Sequence, residues 1–234
     1  MGLVRLDKFI STQTVFSRSE IRKMIFKGMV TVDGKVICQP DFKIDEKASE
    51  INLEGKKIEY EQYVYLVMNK PKGVLSATSD KNCKTAVDLL PQEYSKRNIF
   101  PAGRLDKDST GMIILTDDGD FAHKITSPKH HIEKAYIVEL DGEVQQRVID
   151  AFAKGVTLAD GTVCSPAVCE KIESNKARVI LTEGKYHQIK RMFGVFDLGV
   201  NSLHRERMGN LTMPKSLAFG DFYKIKPEDI AQSS

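Results

Sequence analysis

No apolar run in these 234 residues approaches the ~18 needed to cross a bilayer, so a membrane-spanning helix is excluded. The opening, Met1-Gly2-Leu3-Val4-Arg5-Leu6-Asp7-Lys8, lacks the apolar core and cleavage site of a signal peptide. A soluble, cytoplasmic protein with no membrane partner is the expectation. Cysteine is scarce: of Cys38, Cys83, Cys164 and Cys169, only the last two are close. Their spacing, with no His pair nearby, matches no common zinc pattern, and a chain of this size can bury a core without disulfides. All four are expected to be reduced packing thiols. Internal repeats, low-complexity segments, a P-loop and a GxGxxG fingerprint are also missing. Excess charge is slight, 35 Lys+Arg against 32 Asp+Glu, for a net +3.

That average hides a polarity. Residues 1–30 carry six bases and two acids, +4, whereas residues 31–62 carry five bases and eight acids, −3. The basic stretch reads as two helices. Leu6, Phe9 and Ile10 lie at i, i+3, i+4. Ser17-Arg18-Ser19-Glu20 has the capping-box pattern ahead of the stripe Ile21, Met24, Ile25, and Gly28 suits a left-handed stop. Two hairpins follow: one turns at Asp33-Gly34, and a weaker one at Glu54-Gly55. Glu59–Gln62 is the expected linker, giving a module over residues 1–60 and a domain over 63–234, a common size.

The second part is strand-rich. Val64–Met68, Met112–Leu115, Ala135–Leu140, Ala177–Leu181 and Asn201–Glu206 read as strands. Asp117-Asp118-Gly119 leads into a helix from Asp120 to Thr126, closed by Pro128. Ile189, Met192, Phe193 and Phe196 form another helical stripe. The fold class is α+β: a small helix-and-hairpin module, then a mixed, mainly antiparallel sheet with flanking helices.

Chemistry concentrates in Gly103-Arg104-Leu105-Asp106-Lys107-Asp108-Ser109-Thr110-Gly111, a polar loop bracketed by glycines just before a buried strand. Cations on either side of Asp106 suit an anionic nucleophile or base. Composition alone favours the plainer alternative, a solvated charged turn.

This segment resembles the signature of bacterial pseudouridine synthases acting on ribosomal RNA. Asn69-Lys70-Pro71-Lys72-Gly73, Glu133-Lys134-Ala135-Tyr136, Glu183-Gly184-Lys185-Tyr186-His187-Gln188-Ile189-Lys190-Arg191-Met192 and Leu203-His204-Arg205-Glu206-Arg207-Met208-Gly209 are similar to further motifs of that family, in order. Taken together, these motifs look like those of the ribosomal small-subunit pseudouridine synthase A family. Independently, Arg5-Leu6-Asp7-Lys8-Phe9-Ile10 and Lys27-Gly28 followed by Val30-Thr31-Val32-Asp33-Gly34 resemble the S-four RNA-binding domain.

The resemblance implies roles. Asp106 takes the place of the aspartate that acts covalently on uridine, Tyr136 that of a tyrosine lying against the base, and Lys190 that of a basic partner of the aspartate. This last position is Arg in many relatives. Lysine keeps the charge but gives up the planar fork, with Arg191 as the fallback. Arg104, Arg5, Lys8, Arg18, Arg22, Lys23, Lys27, Lys185, His187, Arg191, Arg205 and Arg207 are the expected RNA contacts, and their plain alternative is solvated surface. Lys129, His130, His131 and Lys134 are as readily RNA-facing as solvated. His187 could instead cap a helix. Asp108 reads as loop structure.

Converting uridine to pseudouridine exchanges a sugar–nitrogen for a sugar–carbon bond with no net redox or hydrolysis, so no metal, nucleotide or small-molecule cofactor is expected. The expected partner is ribosomal RNA in a small-subunit assembly particle, and a monomer is the default. A large-subunit target, or a non-catalytic RNA-binding or assembly factor on the same scaffold, are the alternatives; Asp106 argues for the enzyme. A glycosidase would need a second acid at a fixed separation.

Overall fold

The computed structural model describes residues 3–230. The chain forms two compact units, Met1–Tyr63 with Leu90–Asn98, and Val64–Leu89 with Ile99–Ser234. Positions 231–234, counted in the expected second domain, lie outside the described residues.

In the first unit, β1 (Val4–Arg5) leads into α1 (Leu6–Gln13) and α2 (Arg18–Phe26). The Ser17 hydroxyl accepts from the Glu20 N–H, and the Glu20 carboxylate accepts from the Ser17 N–H, so the expected capping box is present. Strands β2 (Val30–Val32) and β3 (Lys35–Val36) pair across Asp33-Gly34, both at positive φ, the geometry of a tight hairpin. After β4 (Lys43–Ile44), which pairs with β1, strands β5 (Ile51–Leu53) and β6 (Lys56–Ile58) complete a four-stranded sheet of order β3-β2-β5-β6. Leu6, Phe9, Ile10, Ile21, Ile25 and the inward residues of β2 and β5 form its core.

Residues 90–98, expected in the second domain, belong to this unit. Lys96 donates to the Thr14 carbonyl at 3.2 Å, and Arg97 donates to Gln13 Oε1 (3.2 Å) and to the Glu61 carbonyl (2.6 Å). Two long cations reaching carbonyls beyond the end of α1 draw the segment here, which local patterning does not reveal.

The second unit is built on nine strands: β7 (Tyr65–Lys70), β8 (Phe100–Ala102), β9 (Thr110–Thr116), β10 (Lys134–Leu140), β11 (Val168–Glu173), β12 (Lys176–Leu181), β13 (Val200–Met208), β14 (Leu211–Thr212) and β15 (Phe222–Lys224). The main order is β11-β12-β10-β13-β9-β7-β15, with β14 on β13 and β8 on β9. All pairings are antiparallel except β13 with β9, which meet in parallel through His204–Thr110 and Arg205–Gly111. Helices α3 (Gly119–Thr126), α4 (Gln146–Lys154) and α5 (Gln188–Gly194) flank the sheet. The α+β expectation holds. Helix α4 and strands β8, β11, β14 and β15 go beyond the elements read from the pattern, and Phe196 falls just past α5.

The β13–β9 junction leaves no room for a side chain. At Gly111 φ is +102°, and a Cβ there would sit 2.3 Å from the Arg205 carbonyl oxygen. Gly111→Ala is expected to lower unfolding free energy by about 3 kcal/mol, since strand separation adds to left-handed strain. Urea denaturation measures it, and wild-type stability would contradict the junction's geometry.

Candidate active site and nucleic-acid interface

Asp106 sits in the loop that runs from Gly103 into β9. The Ser109 N–H donates to the Asp106 carbonyl at 3.1 Å, closing a turn. A second loop clamps it. Ser76 and Leu105 exchange hydrogen bonds at 2.8 and 2.9 Å, and the Gly73 N–H donates to the Lys107 carbonyl at 2.7 Å. That second loop is stapled in turn by Lys70, whose fully buried ammonium donates to the carbonyls of Pro71 (3.0 Å) and Val74 (2.8 Å).

Around the Asp106 carboxylate, Lys190 Nζ stands 3.2 Å from Oδ2 and His187 Nε2 stands 3.4 Å from Oδ1. Both side chains come from α5 and its preceding residue. Lys190 also reaches Asp108, at 2.6 and 2.8 Å from its two carboxylate oxygens. Burial pulls the Lys190 ammonium down, but its hydrogen bonds to Asp108 and Asp106 outweigh that and raise it above the usual lysine value. Asp108 is held below the usual carboxylate range by the same hydrogen bond from Lys190.

Beside Asp106 opens a cavity of about 250 Å³ whose wall includes Arg104, Leu105, Ser109, Tyr136, Tyr186 and Leu203. Tyr136, on β10, is 8% exposed. Its hydroxyl accepts from Arg205 Nη1 at 3.5 Å, and the guanidinium lies 5.9 Å from the ring centroid. The Ser109 hydroxyl is buried and has no hydrogen-bond partner among the described residues. Asp106, Tyr136 and Lys190, far apart in sequence, therefore converge, and one carboxylate faces a pocket with an aromatic wall and an idle hydroxyl. Such a pocket suits a planar, polar-edged ligand and covalent chemistry at Asp106.

The expected RNA contacts sort differently. Arg104 and His187 line the cavity, and Lys8, Arg22, Lys23 and Lys27 are exposed. Arg5 and Arg18 both bind Asp7, which is 1% exposed. Burial pushes that carboxyl up, but the two guanidinium bonds prevail and bring it to about 2. Lys185 pairs with Glu183, Arg207 with Glu133 at 2.9 Å, and Arg191 with Asp160. Arg191 thus points away from Asp106 and is no substitute for Lys190. Arg205 needs correction: at 3% exposure, donating to the Met112 carbonyl at 2.7 Å, it lies behind Tyr136 and cannot serve a phosphate on the surface. Lys134 is buried likewise, donating to the carbonyls of Ile132 and Thr182. His187 enters α5 at φ +48° without a side-chain cap bond, so its ring is free to face Asp106.

Asp108, Ser109 and Tyr186 were missed as site residues. Asp108 and Ser109 stand inside the signature loop, and Tyr186 beside His187 stacks on it at 3.9 Å. Position in a motif was the available signal, but which neighbours touch the pocket is a tertiary fact. Cys38, Cys83, Cys164 and Cys169 are free thiols, and burial pushes Cys169 up to about 11.

Comparison with known proteins defines the class. Residues 64–194 match the RNA pseudouridylate synthase family and residues 4–49 the S4 domain. The chain belongs to the RNA pseudouridine synthases, isomerases that act on RNA, and carries an S4 RNA-binding domain. It is 38% identical over 230 residues to the ribosomal small subunit pseudouridine synthase A of Escherichia coli, covering 97% of this chain and 99% of that one. It is 36% identical over 231 residues to an uncharacterized RNA pseudouridine synthase of Bacillus subtilis, covering 97% of both. A solved pseudouridylate synthase superposes with a TM-score of 0.68 at 33% identity, over 97% of this chain and 98% of that one. Among the described residues, no helix is long and apolar enough to cross a membrane.

The buried lysines carry a pH signature. Burial first of all brings both Lys70 and Lys134 down to about 8, well below the 10.5 of a free lysine. Between about pH 8 and 10.5 the unfolded chain therefore binds more protons than the folded one, and these groups make stability rise with pH. Lys134→Met is expected to remove on the order of 2 kcal/mol of that rise. Urea midpoints at pH 7 and 10 read it; an unchanged difference in the variant would refute the assignment.

Proposed function

We propose that this protein isomerises a uridine of small-subunit ribosomal RNA, with Asp106 as the nucleophile. The observation that carries the reading is one carboxylate, Asp106, held by Lys190 and His187 at the mouth of a cavity walled by Tyr136. The small-subunit target is supported by the name of the Escherichia coli relative, matched over nearly its whole length.

The reaction cleaves the bond from the ribose to the base nitrogen, turns the base, and rejoins it through carbon. The detached base must stay in place and water must stay away from the sugar. Tyr136 and Leu203 supply an apolar wall, and the Ser109 hydroxyl offers a hydrogen bond to the base edge. Lys190 pairs with Asp106 and keeps it aimed. Asp108, bound through both oxygens to Lys190 and 60% exposed, is poorly placed to deliver water as the second carboxylate of a glycosidase does. The target nucleotide must leave its stack, at a cost of a few kcal/mol that is least in loops and single strands.

RNA affinity comes chiefly from the first unit. With Arg5 and Arg18 engaged by Asp7, the exposed Lys8, Arg22, Lys23 and Lys27 remain to meet phosphates. The exposed bases of the first unit support a division of labour in which that unit binds RNA and the second unit, which holds Asp106, carries the chemistry. A small-subunit assembly particle as substrate and a monomeric enzyme complete the reading.

Asp106→Asn is expected to abolish pseudouridine in small-subunit particles, mapped by carbodiimide-stop sequencing, while RNA binding stays within about twofold of wild type. Product at the wild-type rate would overturn the mechanism. The double charge reversal Lys23→Glu/Lys27→Glu is expected to weaken RNA binding and flatten its dependence on log salt by about 2, one for each phosphate no longer neutralised. An unchanged slope in filter binding would move the interface elsewhere.

A further inference from the structure

Lys190 is divided between two carboxylates, and the shorter contacts go to the one outside the cavity beside Tyr136. Its Nζ lies 2.6 and 2.8 Å from the two oxygens of Asp108 but 3.2 Å from the nearer oxygen of Asp106. The turn closed by Ser109 N–H on the Asp106 carbonyl, with Lys107 pinned between by Gly73, turns both acids toward α5.

We propose that Asp108 is a positioning residue of the reaction centre: it clasps the Lys190 ammonium with both oxygens and thereby holds it against Asp106. The proposal rests on Asp106 being the reacting carboxylate. The need for a clasp follows from lysine's chemistry. A guanidinium meets a carboxylate through a planar fork and orients itself by two parallel hydrogen bonds. An ammonium is a point charge on a four-carbon stem with no preferred plane. A single contact of 3.2 Å, with 23% of the Lys190 side chain open to water, leaves that stem free to swing away. Two further contacts from Asp108 restrict the ammonium to one position. Asp108 itself is 60% exposed, so it sits at the rim, clear of the substrate pocket.

The groups facing Lys190 are Asp106 and Asp108 from the loop before β9, and His187 ahead of α5. Lys72 and Lys107 line the same opening. Among these only the two acids hydrogen-bond the ammonium and raise it above the usual lysine value, against the downward pull of burial. Losing Asp108 must therefore bring Lys190 down while leaving Asp106 as its sole anionic partner.

The test is a double-mutant cycle in the full-length protein, with Asp108→Asn, Asp108→Glu, Lys190→Arg and Asp108→Asn/Lys190→Arg. Tritium release from small-subunit ribosomal RNA labelled at uridine C5 gives the rate. Asp108→Asn is expected to lower kcat about tenfold with KM for RNA unchanged, because the reacting groups are misplaced and binding is not. Asp108→Glu should recover most of that activity. In the Lys190→Arg background, Asp108→Asn should cost less than about twofold, since the fork orients itself. In parallel, an NMR titration of the Lys190 side chain should show it losing its proton at lower pH in Asp108→Asn than in wild type. That readout needs no activity, so an inactive wild type would overturn the functional reading and with it the positioning role, whereas an unmoved titration would overturn the clasp alone. Equal or faster turnover in Asp108→Asn, an undiminished effect of Asp108→Asn in the Lys190→Arg background, or an unmoved titration would each overturn the clasp.

Discussion

The approach of Gly111 to the backbone of Arg205 is the constraint on which the site depends. It lets β9 and β13 run side by side in parallel for two residues inside a sheet that is otherwise antiparallel. From that point β9 is paired by β8 on one edge and β7 on the other, and the loop just before it is set beside Tyr136 on β10. A Cβ at position 111 would push the two strands apart, and the loop that carries Asp106 would move with β9. The buried Arg205 side chain belongs to the same junction, tying Met112 of β9 to Tyr136 of β10.

Electrostatics then sharpen what packing has placed. Three cations, Lys70, Lys134 and Arg205, are buried around the site and hydrogen-bond to carbonyls or to a tyrosine rather than to carboxylates. Such groups are costly to bury, which marks the region as one where folding stability is given up for a positive environment. Of the three, Lys70 interacts electrostatically with Asp106 and Asp108, while Lys190 and the His187 ring meet the Asp106 carboxylate directly. In the first unit the logic is reversed: a buried acid, Asp7, takes up two arginines, so the exposed charge available to a polyanion is smaller than the net +4 of residues 1–30 suggests.

Much of the fold was legible because it is written in local rules. The Ser17/Glu20 capping box, the Asp33-Gly34 and Glu54-Gly55 turns, the stripe of α5 and the apolar run of β9 each depend on residues within a few positions of one another. Elements that escaped have weak local signals. Strand β11 buries only Cys169 among its six residues and shows no clean alternation, and β8 contains Pro101, which suits an edge and not a central strand. Helix α4 does carry a readable stripe in Val148 and Phe152. The site divides the same way. Asp106, Tyr136 and Lys190 were readable through motifs, whereas the burial of Arg205, the engagement of Arg5 and Arg18, and the contacts of Asp108 were not.

The sequence by itself determined the elements with strong local signals, the family and the candidate reacting carboxylate, because capping, turn chemistry and motif spacing act over short stretches of chain. Only the tertiary structure decided which charges are engaged and which are free. Lys190 meets Asp108 across 82 positions, and Arg205 meets Met112 across 93. Burial and ion pairing at such separations are set by how the strands stack, and a solvated and a buried arginine look the same in one dimension. The +3 of the whole chain says little for the same reason: what matters is that Asp106 ends up facing Lys190 and His187, while Lys23 and Lys27 end up facing water.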